Sequence, residues 1–307
     1  CNESVMYVSL VDGERSTISS DSVGSGPTIE RLMGIVLDYP GDYIYATYAE
    51  LNMSVGIQMS TGTRTVLSDS SVGAGPEIVG PLGLAVDLGQ NRAFVTCINL
   101  VSPSDVVGYL LSIDLSTGNR TLVSGPALGT STGSGPALHT PLGITINGAG
   151  NIAHVVCDDP GALMMIEIPT GNRTQITSTG TGEDTGPSLI MPTGMETDAQ
   201  NEVVIVLDPQ QQALFSIDAL TGNRNILSDP TVSTGPPMIN PLSVALDAPR
   251  DRAVVYDSHF EALLSVDLDT GARTIIHDFV SSEWITDFAL DTESNTAYLI
   301  NNSYDVR

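Results

Sequence analysis

Lysine is absent from this chain: all eleven basic residues among its 307 are arginine, set against 36 aspartates and glutamates. That excludes Schiff-base chemistry on a lysine amine. The formal net charge of -25 argues against nucleic acid and anionic lipid as partners, because both are repelled. Cysteine is scarce too. Cys1, Cys97 and Cys157 are too few for a disulfide scaffold and lack the spacing of a zinc site. No apolar run is long enough to span a bilayer as a helix. There is one tryptophan, Trp284, and no P-loop, dinucleotide fingerprint, nucleophile elbow or zinc motif.

Hydrophobic residues make up 41% of the chain and charged ones 15%, so core material is ample. The remainder is rich in Gly, Ser, Thr, Pro and Asn, the residues of tight turns between short strands. The acidic balance suits salty, extracytoplasmic surroundings, where salt screens self-repulsion, and it suits a chain that collects divalent cations. Cys1 has two readings. It is either the lipidated first residue of a mature bacterial lipoprotein, giving a lipid anchor, or a fragment boundary.

Internal repeats carry the fold. Arg31-Leu-Met-Gly-Ile-Val-Leu-Asp38 is followed by Pro81-Leu-Gly-Leu-Ala-Val-Asp87, Pro141-Leu-Gly-Ile-Thr-Ile-Asn147, Pro192-Thr-Gly-Met-Glu-Thr-Asp198, Pro241-Leu-Ser-Val-Ala-Leu-Asp247 and Ile285-Thr-Asp-Phe-Ala-Leu-Asp291. The spacing is roughly 45 to 60 residues, the period of propeller blades. A second apolar strand, a third, a Thr-Gly-X-Arg turn and a fourth strand complete each unit; Thr117-Gly-Asn-Arg120 is one such turn. Four antiparallel strands per repeat make one blade. The sixth copy stops after two strands, and the chain begins with the missing two, so residues 1–20 should pair with 285–301 and close the ring. The expectation is a single all-β domain over 1–307, a six-bladed β-propeller with complete blades at 31–68, 81–124, 141–177, 192–228 and 241–276.

The Pro-X-Gly-X-X-X-Asp strand resembles the NHL repeat, and the Thr-Gly-X-Arg-Thr hairpin is similar to YWTD-type blades. Both belong to the broad group of six-bladed TolB-like propellers, a resemblance that covers nearly the whole chain. The group also holds gluconolactonase and paraoxonase enzymes. That distant relation implies a channel Ca²⁺ held by Glu, Asn and Asp, though no motif of theirs matches here one-to-one. Fold likeness of this kind speaks to architecture more than to function.

Asp38, Asp87, Asn147, Asp198, Asp247 and Asp291 share one repeat position and read as Asx-turn formers. The turn arginines read as structural partners of nearby acids. The Gly-X-Gly-Pro and Thr-Gly-Pro loops are expected on one face, around the channel. Positions that depart from the repeat are the functional candidates. Glu196 stands where the other copies have small or apolar residues, which costs free energy unless it is paired, hydrated or catalytic. Asp287 stands where the others have Gly or Ser, in a loop that also holds Glu283 and Trp284; together these read as a ligand-binding group at the channel mouth. The ends of the second strands give Thr47, Cys97, Cys157, Asp208, Asp257 and Asn301, of which Asp208, Asp257 and Asn301 with Asp287 form a candidate Ca²⁺ set. Cys97 and Cys157 read as two separate buried thiols. His139 and His259 are candidates for acid–base work beside Glu196, and His154 reads as a satisfied core histidine.

The reading that follows is an extracytoplasmic propeller that binds a protein or a glycan, or associates with itself, through its channel face. The alternative is a Ca²⁺-dependent lactonase, esterase or polysaccharide lyase.

Overall fold

The second strand of each repeat is apolar at nearly every position, as in Val203-Val-Ile-Val-Leu207, and a strand points successive side chains to opposite faces. Such a strand needs partners on both faces, which sheets stacked radially supply. The computed structural model describes residues 3–102, 105–127, 129–177, 185–198, 202–279 and 283–302, and has this arrangement. The chain starts with β1 (Ser4–Ser9) and β2 (Arg15–Ser20). Blade one is β3 (Leu32–Asp38), β4 (Tyr43–Tyr48), β5 (Met53–Gln58) and β6 (Arg64–Ser68). Blade two is β7 (Pro81–Asp87), β8 (Arg92–Ser102), β9 (Asp105–Asp114) and β10 (Arg120–Ala127), with a short fifth strand β11 (Thr130–Thr132) at its edge. Blade three is β12 (Pro141–Ile146), β13 (Ile152–Cys157), β14 (Ala162–Glu167) and β15 (Arg173–Gln175). Blade four is β16 (Met195–Asp198), β17 (Val203–Asp208), β18 (Ala213–Asp218) and β19 (Arg224–Ser228). Blade five is β20 (Pro241–Asp247), β21 (Arg252–Asp257), β22 (Ala262–Asp267) and β23 (Arg273–Asp278). The last strands, β24 (Ile285–Asp291) and β25 (Thr296–Asn301), join the first two in a sheet of order β2-β1-β25-β24. Val5 lies opposite Ile300 and Tyr7 opposite Tyr298, so the ring closes as the truncated sixth repeat requires. Cys1 and Arg307 lie outside the described residues.

The core is divided into wedges between blades, and the middle stays open. In β17, Val204 and Val206 pack toward blade three while Ile205 and Leu207 pack toward blade five. In β21, Val254 and Tyr256 face the closing blade while Ala253 and Val255 face blade four. A period of two thus divides one apolar run between two cores.

Blades are also clasped at their outer edges, and here two expectations are corrected. The Gly-X-Gly-Pro loops do not gather at the channel. Each wraps the Thr-Gly-X-Arg turn of the next blade: the Arg120 N–H donates to Ala74 O at 2.6 Å and the Arg173 N–H to Ser134 O at 2.7 Å. Gly73 (φ +77°) comes so close that a Cβ there would fall 1.9 Å from Gly118 O, so the loop needs glycine. The turn arginines bond carbonyls and hydroxyls in place of the expected acids. Arg120 donates to Pro76 O at 2.5 Å, Asp69 O at 2.7 Å and Ser68 Oγ at 2.6 Å. Arg64 and Arg273 repeat the pattern on Pro27 and Pro236. The closing blade is the exception, since Arg15 meets the Glu283 carboxylate at 3.0 Å.

Most of the repeated turn acids act as expected. Asp38 accepts the Gly41 N–H, Asp87 the Gln90 N–H and Asp291 the Glu293 N–H. Asp247 differs: it is fully buried and pairs with Arg250 and Arg252, the latter at 2.7 Å.

Candidate functional site

The first strand of every blade lines a central cavity of about 560 Å³. Its wall mixes polar groups with aliphatic side chains such as Leu37, Leu84, Ile146 and Leu246. Polar side chains come from blades three to six, namely Thr145, Thr193, Glu196, Thr197, Ser243, Thr286 and Asp287, and the two carboxylates from blades four and six. No arginine or histidine lines it among the described residues.

One repeat position sets the width of the ring: Gly34, Gly83, Gly143, Gly194, Ser243 and Asp287. A Cβ on Gly83 would meet Leu142 O at 2.1 Å, so blades two and three touch backbone to backbone there. The contact loosens at Gly194, where the nearest atoms of blade five are 3.3 Å from a built Cβ. Beyond that point side chains take over. Ser243 Oγ donates to Asp287 Oδ1 at 2.5 Å, and Asp287 Oδ2 accepts the Ile35 N–H at 3.0 Å. Asp287 therefore bridges blades five, six and one across the closure seam. Burial pushes its carboxyl up to about 6, although the Ser243 hydroxyl and the Ile35 amide favour the ionised form.

Glu196 projects from β16 into the same cavity, and no described residue donates it a hydrogen bond. Burial, and then the Asp287 charge, push it up to about 7. The hydroxyls of Thr145 and Thr197 bond each other beside it. The cavity thus holds two coupled carboxylates, one stitched into the wall and one without a partner.

The other predicted residues are placed elsewhere. Asp208 is fully buried and accepts the Ile190 N–H at 2.7 Å and Gln211 Nε2 at 2.8 Å. Asp257 accepts the Asn240, His259 and Phe260 N–H groups. Asn301 accepts the Trp284 N–H at 3.1 Å. All three do one job, holding the loop that leads into their blade. Cys97 and Cys157 occupy the same position, with the Val79 and His139 N–H groups beside their thiols. Both cysteines are free and buried, as the sequence implies. Thr47 does not belong to this set. Strand register pairs Leu32 with Tyr48, as it pairs Pro81 with Cys97, so Tyr48 holds the position. Thr47 instead bridges the Gly34 N–H to Leu82 O in the next blade.

These placements decide the fit of Ca²⁺. The ion takes six to eight oxygens, but the structure does not bring Asp208, Asp257 and Asn301 together with Asp287, whose own oxygens are engaged. No group of three or more His, Cys, Asp or Glu is arranged to hold a metal among the described residues. The residues present do not fit the ion that the gluconolactonase likeness implies.

His139 and His259 are exposed and lie outside the cavity wall; His259 packs edge-on to Phe260 at 5.1 Å. His154 is in the core as expected, but its Nδ1 has no hydrogen-bond partner, and burial lowers its pKa to about 4. Glu283 is held by Arg15. Trp284 is 38% exposed, its backbone fixed by Asn301 and Asn302. Sequence reading missed the Ser243–Asp287 stitch, although Ser243 is the other departure from glycine in that position and so carried a signal. It also missed Asn302, whose Nδ2 donates to Leu32 O at 2.8 Å across the seam.

Among the described residues, no helix is long and apolar enough to cross a membrane. No family model and no curated protein matches the chain. Solved structures do. A structure titled as a nidogen/laminin complex aligns at TM-score 0.62 and 13% identity, over 89% of this chain and 92% of that one. A TolB from Agrobacterium tumefaciens aligns at TM-score 0.63 and 10% identity, over 99% of both chains. Streptogramin B lyase aligns at TM-score 0.62 and 12% identity, over 95% of this chain and 85% of that one. The chain is a six-bladed β-propeller, the fold it shares with these structures.

Proposed function

We propose that this chain is an extracytoplasmic binding propeller that takes its ligand or partner through the channel face. The observation that carries the reading is the cavity itself: a roughly 560 Å³ space with both aliphatic and polar walls, large enough for a small ligand, with two carboxylates on one flank. The acidic, lysine-free composition supports a salty setting outside the cytoplasm. The likeness to proteins whose structures are titled for a complex and for TolB is in keeping with it.

A second reading rests on Glu196. A carboxyl that titrates near neutrality in a covered site suits a general acid or base, and one similar structure is a lyase. Against this reading, no histidine or cysteine among the described residues lines the cavity to act with it, and the chain has no lysine.

The test is a thermal-shift screen of chemically varied small molecules on the whole chain, repeated on Leu82→Trp and Met33→Trp, which narrow the cavity. Channel ligands should raise the melting temperature of the wild type and fail on the narrowed variants. Turnover of esters or lactones that disappears in Glu196→Gln would overturn the binding reading in favour of the enzyme.

A further inference from the structure

Two carboxyls share the cavity, and no described arginine or histidine lines it; the chain has no lysine. Asp287 satisfies its oxygens on Ser243 and Ile35. Glu196 does not: it projects into the cavity without a hydrogen-bond donor from any described residue, beside threonines that bond each other. A covered carboxylate without a partner is costly, and a ligand that supplies both a donor and a positive charge removes that cost.

The remaining wall decides which cation. A hard divalent cation such as Ca²⁺ needs six to eight oxygens, and of the two carboxylates here Asp287 is already engaged by Ser243 and Ile35. An organic cation needs one or two charge-assisted bonds and gains from apolar contact over the rest of its surface. Met33, Leu37, Leu82 and Val86, from blades one and two opposite the carboxylates, supply that contact. The departures from the repeat also fall together: Glu196, Thr197, Ser243 and Asp287 replace glycine, small or aliphatic residues on one flank, while the opposite flank keeps the consensus. Such a wall is one-sided, built for a molecule with a charged end and an apolar body.

We infer that the channel binds a monovalent organic cation, an alkyl or aryl ammonium, with its head at Glu196 beside Asp287 and its apolar body along the aliphatic wall. This rests on the channel-binding reading and names the class of ligand.

Calorimetric titration of the full chain tests it, at about pH 8 and in roughly half-molar sodium chloride, which suppresses loose attraction to the acidic surface. The probes are hexylammonium, its neutral isostere hexanol, hexanoate and calcium ion. Hexylammonium should bind once per chain, at least tenfold more tightly than hexanol, with no heat from hexanoate or calcium. Glu196→Gln should weaken hexylammonium at least tenfold while still folding. Lowering the pH to about 5 should weaken it in the wild type as the carboxylates protonate. Equal binding of hexanol and hexylammonium, or an unchanged affinity in Glu196→Gln, overturns the ammonium assignment and leaves channel binding standing. No binding of hexylammonium overturns it as well; channel binding itself fails only if the wider screen on the narrowed variants also finds nothing.

Discussion

Ser243 gives its hydroxyl proton to Asp287 Oδ1 at 2.5 Å, while the other oxygen of that carboxylate holds the Ile35 amide of the first complete blade. At Gly34, Gly83 and Gly143, in the same repeat position, blades meet backbone to backbone. Where the closing blade meets blade one the carboxylate replaces that contact. Asp287→Gly restores the glycine of blades one to four but leaves the Ile35 N–H without its acceptor. It should destabilise the protein by about 1–3 kcal/mol, the cost of an unpaired buried donor. Asp287→Asn keeps an acceptor and should cost less. Denaturant melts of both variants check this, and a glycine variant as stable as wild type would show that the stitch contributes nothing.

Glu196 predicts a pH dependence with a definite sign. Its pKa rises from an ordinary 4.5 to about 7 on folding. The folded state therefore holds the proton more tightly, a stabilisation that is complete below about 4.5 and is lost as pH rises through about 7. Glu196→Gln, which cannot ionise, should be the more stable form at about pH 8, by on the order of 1–3 kcal/mol. The two proteins should converge near pH 4. Paired melts across that range test the sign. A variant less stable than wild type at pH 8 would mean that the carboxylate has a partner that stabilises its charge.

The outer clasps separate two kinds of arginine. Arg120 is nearly buried and donates to Pro76, Asp69 and Ser68. Arg120→Ala strands those acceptors and should cost about 2–4 kcal/mol, and Arg120→Lys should recover little because an ammonium lacks the planar fork. Arg15 makes a partly exposed pair with Glu283. Arg15→Ala should cost about 0–1 kcal/mol, less in high salt. Urea melts at two salt concentrations distinguish the cases.

The sequence carried the architecture because each blade is written in local terms: an apolar run, a turn, a Thr-Gly-X-Arg hairpin. The closure was legible for the same reason, since Val5–Leu10 and Ala297–Asn301 are strands with missing partners. The site was less legible. Glu196 and Asp287 stood out against small residues in their repeat positions, and both do face the cavity. Asp208 and Asp257 looked like ligands of the same kind, yet their oxygens are spent on the Ile190 and Asn240 amides. An acid that anchors a loop and an acid that meets a ligand read alike in one dimension. Thr47 was misplaced by one residue because an aromatic Tyr48 fills a position that other blades give to Cys, Asp or Asn.

Cys97 and Cys157 hold that position in adjacent blades, and their burial makes a clean probe of ring opening. Burial pushes both thiols up to about 12, so at neutral pH neither presents a thiolate. A thiol reagent should leave both unmodified in the native protein and label both in denaturant. Under native conditions their labelling should follow opening of the wedge cores that hold them, between blades one and two for Cys97 and between blades two and three for Cys157. Asp287→Gly loosens a seam on the far side of blade one. If the ring opens as one unit, that substitution should speed the labelling of both cysteines by the same factor. If blades open separately, it should leave Cys157 unchanged. Mass-resolved labelling of each peptide would show which holds, and equal acceleration would establish that the Asp287 junction of the closing blade with blade one stabilises wedges that Asp287 does not touch.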